Sequence, residues 1–255
     1  MTPLLSLEGV SRHFGALRAV DQVSMTVEAG ARHAVIGPNG AGKTTLFSLV
    51  AGTLTVTSGR ILFDDADISS VAEPSRVRRG IARTFQQSSL FTSMPVLDNV
   101  ALAVQRAGGG SADLRPWRRR RGVERARALL GDVGLAGRER QRVSALSHGE
   151  RRQLEVAVAL ACDPRLLMLD EPTAGMSAYE SGRFAELIES LPADITVLLI
   201  EHDLDVVFRL ARTVTVLHLG KVLADGSAAD VRDDPAVQHA YLGTARHEEL
   251  FLEPG

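Results

Sequence analysis

The apolar positions of the chain fall first into short β-like runs, "LLSLEGV" at 4–10, "QVSMTVE" at 22–28 and "RHAVIG" at 32–37. A fourth, "GRILFDD" at 59–65, follows a Thr-Ser-Gly turn, so the opening quarter is expected to be strand-rich. From Pro95 to Ala161 the spacing turns helical, interrupted by "GGGS" at 108–111 and by glycines near 131–137. Strand and helix patterns then alternate. "RLLMLD" reads as a buried strand, 178–190 as a helix, "DITVLLI" as a strand, 203–210 as a helix, and "TVTVLHLG" and "KVLADG" as strands. Such alternation predicts a parallel sheet covered by helices. After Gly226 the chain becomes polar and Asp-rich, with weak helical character.

Composition narrows the function classes. With 255 residues, of which 45% are hydrophobic, the chain is long enough for one large α/β domain or a core with a subdomain. A net charge of −2 supplies no global field for nucleic acid, and nucleic acid is not an expected partner. Arginine carries nearly all the positive charge, Lys43 and Lys221 being the only lysines. The single cysteine, Cys162, rules out an internal disulfide and reads as core filler. No apolar run approaches the roughly 18 residues of a membrane span, so the protein is expected to be soluble and to meet a membrane only through a partner. The arginine-dense "LRPWRRRRGVERARA" at 114–128 reads as a solvated helix face or a mobile loop, ahead of a contact with acidic lipid or an acidic partner.

Candidate chemistry starts at "GPNGAGKTT", residues 37–45, which follows the strand "RHAVI" and fits a phosphate-binding loop. Gly37, Gly40 and Gly42 let the backbone curl so that successive N–H groups of the Gly37–Pro38–Asn39–Gly40–Ala41–Gly42 turn face phosphate oxygens. Lys43 is placed to reach the outer phosphates, and Thr44, ahead of Thr45, to ligate Mg²⁺. A nucleoside triphosphate site follows. In "LLMLDEP", 166–172, Asp170 and Glu171 fall at the C-terminal end of a strand, where open α/β sheets bind ligands. Asp170 suits the Mg²⁺ shell, through water. Glu171 suits polarising the attacking water as general base. His202 directly follows another such strand and is expected on the same sheet edge, able to donate to a γ-phosphate. Gln86 in "IARTFQQ" ends a short apolar run, where an amide could touch both Mg²⁺ and the attacking water.

The stretch "SALSHGERRQLEVAVALA" can be read in two ways. Ser147 and Glu150 form the pattern of a capping box, which only starts a helix. Gly149 strips the first turn of a side chain, which leaves backbone donors and the positive end of a helix dipole open to an anion.

In their fixed order these motifs resemble the ATP-binding subunit of an ABC transporter, over nearly the whole chain. "GPNGAGKTT" is similar to the Walker A loop, Gln86 to the Q-loop glutamine, "LSHGE" to the signature, "LLMLD" to Walker B, Glu171 to its catalytic carboxylate and His202 to the switch histidine. The resemblance implies that Phe14 stacks on adenine. It also implies that Ser147 and Gly149 contact the ATP held by a second subunit, so that cap and phosphate site are one feature. The chain departs from the family pattern at His148, where glycine is more frequent, and at Ser177, where many members have an aspartate.

The implied fold is an α/β P-loop NTPase core with a mainly parallel sheet, an N-terminal antiparallel β subdomain and an inserted α-helical subdomain. Its expected parts are 1–90 (first part of the core), 91–164 (helical signature subdomain), 165–226 (remainder of the core) and 227–255 (tail). The implied cofactors are ATP and Mg²⁺. The implied partners are a second ATP-binding subunit, identical or related, permease subunits docked near 87–105, and indirectly an external binding protein. Such a subunit lies on the cytoplasmic face of the membrane. "RTFQ", "LDEPTAGMS", "LLIEHD" and "PAVQHAYLG" look like the branched-chain amino-acid importer class. Urea or amide import, lipopolysaccharide export and a soluble ABC-type ATPase are the alternatives.

Overall fold

The computed structural model describes residues 3–84, 90–107 and 116–242, apart from the side chains of 116–121 and 242. The chain divides into two compact units, Met1–Arg76 with Ala193–Gly255, and Val77–Pro192.

The first unit holds two groups of strands. β1 (Pro3–Phe14) and β2 (Leu17–Glu28) form an antiparallel hairpin, with Phe14 opposite Leu17 at its tip. β1 also pairs antiparallel with β4 (Ser58–Phe63), which is flanked by the short β5 (Ala66–Asp67). Along β2, Val23, Met25 and Val27 are buried while Ser24 and Thr26 are exposed, the pattern of a sheet wet on one face. In the second group β3 (Arg32–Ile36) lies parallel between β8 (Thr196–Ile200) and β9 (Thr213–His218), and β10 (Lys221–Ser227) returns antiparallel to β9. β8 is buried throughout, as expected for a strand covered on both faces, and α7 (Leu204–Leu210) follows it.

α1 (Lys43–Ala51) packs Leu46, Phe47, Leu49 and Val50 into the core, each contributing about 1.5–3 kcal/mol by burial. Its last carbonyls are satisfied from an unexpected source. The buried Arg76, in α2 (Glu73–Arg78), donates from Nη1 to the Leu49 and Val50 oxygens at 2.6 and 2.8 Å. The same guanidinium reaches the Ile68 and Val71 oxygens at 2.6 and 2.7 Å, so one side chain ties the end of α1 to the loop between β5 and α2. Beyond β10 the weak helical pattern becomes two helices, α8 (Ala228–Asp233), capped by the Ser227 hydroxyl, and α9 (Pro235–Leu242).

In the second unit β6 (Ile81–Arg83) pairs parallel with β7 (Leu166–Asp170), which is buried along its whole length. The helical stretch resolves into α3 (Val96–Ala107), α4 (Pro116–Asp132) and α5 (His148–Leu160), and α6 (Ala178–Ser190) follows β7. The arginine-dense segment is thus helix from Pro116 onward, with Arg125 and Arg127 on its exposed face. "GGGS" lies outside the described residues. The mainly parallel pairing, the antiparallel β layer of the first unit and the helices α3 to α6 of the second are the parts of the expected α/β P-loop NTPase fold.

Candidate functional site

In the first unit β3 ends at Ile36 and α1 begins at Lys43, so the glycine-rich stretch is the connecting turn. A Cβ at Gly37 (φ 147°) would lie 2.1 Å from the Leu217 oxygen, and one at Gly42 (φ 103°) 2.3 Å from the Ala19 oxygen. Neither position has room for a side chain. Gly42 is the N-cap of α1 and supplies no capping side chain, and the first helical turn holds no acidic residue. Its backbone donors and the positive helix end could therefore receive an anion without competition from a capping side chain or a first-turn carboxylate. The buried Lys43 donates from Nζ to the Gly37 and Pro38 oxygens at 2.6 and 3.1 Å, which folds the ammonium over the turn. Asn39, Gly40 and Thr44 are exposed, Pro38 and Thr45 half-buried, and Ala41 buried.

The parallel register Val35 to Ile200 brings the turn after β3 and the residues after β8 to one sheet edge. His202 therefore emerges beside Gly37, with its side chain 61% exposed. Glu201, fully buried, accepts the backbone N–H of His202 at 3.0 Å and stands 3.7 Å from its Nδ1. Phe14, at the end of β1, is 43% exposed, and the Arg12 guanidinium lies 4.7 Å from its ring centroid. Arg12 is itself anchored to the Thr55 oxygen at 3.0 Å.

In the second unit Asp170 ends β7 with no side-chain exposure, and its Oδ2 accepts from Arg83 Nη2 at 2.6 Å. Its Oδ1 is buried with no partner among the described residues. An orphaned carboxylate oxygen is the donor that a hard cation, or the water such a cation carries, takes up. Glu171 has φ 46°, a left-handed conformation that costs a non-glycine residue about 1 kcal/mol or more. Its half-buried carboxylate makes no hydrogen bond or ion pair among the described residues. Gln86 lies outside the described residues.

The capping box is present in full. Ser147 Oγ accepts the Glu150 N–H at 3.2 Å, and Glu150 Oε2 accepts the Ser147 N–H at 2.9 Å. Ser147 and His148 are exposed, and Gly149 is half-buried. This turn contacts the start of α6. His148 Nε2 is 3.0 Å from the Ala174 oxygen, and Glu180 Oε1 is 3.3 Å from where a Cβ on Gly149 would stand. Sequence reasoning missed Arg12, Arg83, Glu180 and Glu201. Each is a charged residue in a charge-rich chain, and only the fold supplies its partner.

The comparisons agree with this geometry. Residues 20–174 match the ABC transporter family, and residues 221–247 match a family described as branched-chain amino acid ATP-binding cassette transporter. The chain is 36% identical to the high-affinity branched-chain amino acid transport ATP-binding protein BraF of Pseudomonas aeruginosa, over 95% of this chain and 99% of that one. LivG of Escherichia coli, named for the same transport, matches with the same identity and coverage. A crystal structure of an ATP-binding cassette of an ABC transporter in its ADP conformation superposes with a TM-score of 0.83 at 29% identity, covering 95% of this chain and 100% of that one.

Proposed function

The chain belongs to the ABC transporter family, whose members bind and hydrolyse ATP, and from that membership we propose that it powers import of branched-chain or related hydrophobic amino acids. The observation that carries the substrate class is the tail match over residues 221–247, together with the near full-length likeness to BraF and LivG.

In this reading the N–H groups of the 37–45 turn hold the phosphates, and the Lys43 ammonium leaves its two carbonyls for the outer phosphate oxygens. Phe14 stacks on the base. Thr44, Gln86 and Asp170 are the residues that would hold Mg²⁺, Asp170 through the oxygen left without a partner among the described residues. When bound, the ion neutralises charge on the phosphates. Glu171 takes the proton of the attacking water, with a carboxylate that no donor among the described residues occupies. His202 donates to the γ-phosphate. Ser147 and Gly149 close over the nucleotide of a second subunit, identical or related.

The permease is the partner that fits the exposed Phe91, 58% accessible, and Leu102, 42% accessible, in the region expected to dock it. An external binding protein would act only through that permease. No described helix is long and apolar enough to cross a membrane, so attachment to the cytoplasmic face falls to this docking.

Two measurements test the reading. Glu171→Gln should keep ATP binding and lose about 10²- to 10⁴-fold in phosphate release, whereas Lys43→Ala should weaken binding itself. Near-normal hydrolysis by Glu171→Gln would overturn the base assignment. In the native host, replacing the chain by its Lys43→Ala variant should abolish uptake of radiolabelled leucine, isoleucine and valine. Undiminished uptake of all three would overturn the substrate.

A further inference from the structure

The signature turn is approached from within its own subunit by the Glu180 carboxylate. Glu180, the third residue of α6, accepts the Ser177 N–H at 3.0 Å and the Ser177 hydroxyl proton at 2.8 Å, both on Oε2. That leaves Oε1 to turn toward Gly149, which has no side chain to keep it out. The carboxyl is held below the usual carboxylate range, first by the Ser177 N–H and hydroxyl and less by His148 and the Gly149 N–H, so it carries its charge at neutral pH. Both departures from the family pattern take part. The Ser177 hydroxyl can donate to Oε2 and accept the Glu180 N–H at 3.3 Å, whereas an aspartate side chain there would donate nothing and repel the carboxylate. His148 fixes the turn to the Ala174 oxygen and brings a basic ring near Glu180.

We propose that the Glu180 carboxylate stands at the signature turn in place of the partner subunit's γ-phosphate, holding the turn closed to ATP until the carboxylate yields. This rests on the reading of Ser147 and Gly149 as a phosphate site acting across two subunits. The physical reason is competition between two anions for one set of donors at a helix N-terminus. Glu180 is thus a positioning residue: it touches no reacting atom and sets how readily two subunits close.

The test uses Glu180→Gln. Glutamine at this position still completes a capping box, so α6 keeps its start while the charge is lost. In full-length chains also carrying Glu171→Gln, ATP-dependent dimerisation is followed by size-exclusion chromatography with light scattering. Glu180→Gln should lower the ATP concentration for half-maximal dimer by roughly five- to tenfold, a coupling at the low end of those seen between linked sites. Where the parent forms no dimer, Glu180→Gln should produce one. With Glu171 intact, Glu180→Gln should lower the half-saturating ATP for hydrolysis and leave kcat in place, a split that a merely structural defect would not give. An unchanged or raised midpoint, or no dimer with either chain, overturns the proposal. A Ser147→Arg chain separates the two ideas, because its dimerising like the parent would show that the trans phosphate site itself is wrong.

Discussion

Arg83 reaches across from β6 so that its Nη2 lies 2.6 Å from Oδ2 of Asp170 at the end of β7, with the two side chains 11% and 0% exposed. Register explains the reach. Arg83 sits opposite Met168, and its long side chain spans the two further residues to Asp170. One carboxylate oxygen is thereby spent on an arginine and the other is buried without a partner among the described residues.

The first prediction concerns this pair. Arg83→Met should destabilise the protein by about 3–5 kcal/mol, because it strands a buried carboxylate. Adding Asp170→Asn to it should recover part of the loss, since the double variant buries no lone charge. Urea unfolding of the two single variants and the double variant gives the coupling. Strict additivity would show that the pair is not a unit.

How much of this was legible beforehand depended on whether a residue's role is local. The 37–45 turn was readable because strand, glycines and helix are consecutive, and the capping box because Ser147 and Glu150 meet within one helical turn. β8 and β7 announced themselves as unbroken apolar runs. Arg76, buried against carbonyls from α1 and from Ile68, gave no such signal, since an arginine among many arginines reads as surface. Arg83 and Glu180 were hidden for the same reason. The partner of each is set by strand register or helix packing, which periodicity does not carry.

The base-stacking reading makes a second prediction. Phe14→Ala should weaken ATP and GTP alike by about 10-fold or more, because stacking accepts any base. Arg12→Ala should weaken both by a smaller factor, since Arg12 rests on the ring and is tied to the Thr55 oxygen, which holds Phe14 in place from behind. Titration with both nucleotides decides the matter. Unchanged affinities in Phe14→Ala would make Phe14 an ordinary exposed aromatic.

Arg76 gives a third. Arg76→Met matches much of the volume but removes the donors to Leu49, Val50, Ile68 and Val71, leaving carbonyls unsatisfied at the end of α1 and in the loop ahead of α2. A loss of about 3 kcal/mol or more is expected from stranding several acceptors at once. Equilibrium unfolding in urea measures it, and a loss under about 1 kcal/mol would mean that water replaces the guanidinium without cost.

The last prediction is a pH dependence of stability set by His33 on β3. Its ring is 2% exposed and lies between two threonine hydroxyls, with Nε2 2.7 Å from Thr215 Oγ1 and Nδ1 2.9 Å from Thr213 Oγ1. Thr215 in turn donates to Asp225. Burial lowers the His33 pKa from 6.5 to about 4, with Asp225 opposing the shift less strongly. The unfolded chain therefore takes up a proton near pH 6.5 that the folded chain refuses until near pH 4. Stability from this site is complete above about 6.5, declines as the pH falls through that window and levels off below about 4, a total of about 3 kcal/mol. Comparison with His33→Gln isolates the site, because the other titrating groups are common to both chains. The stability of the parent relative to His33→Gln should be greatest at pH 7.5 and shrink steadily toward pH 4. A gap that stays constant across that range would mean that His33 charges in the folded protein as readily as it does in the unfolded one.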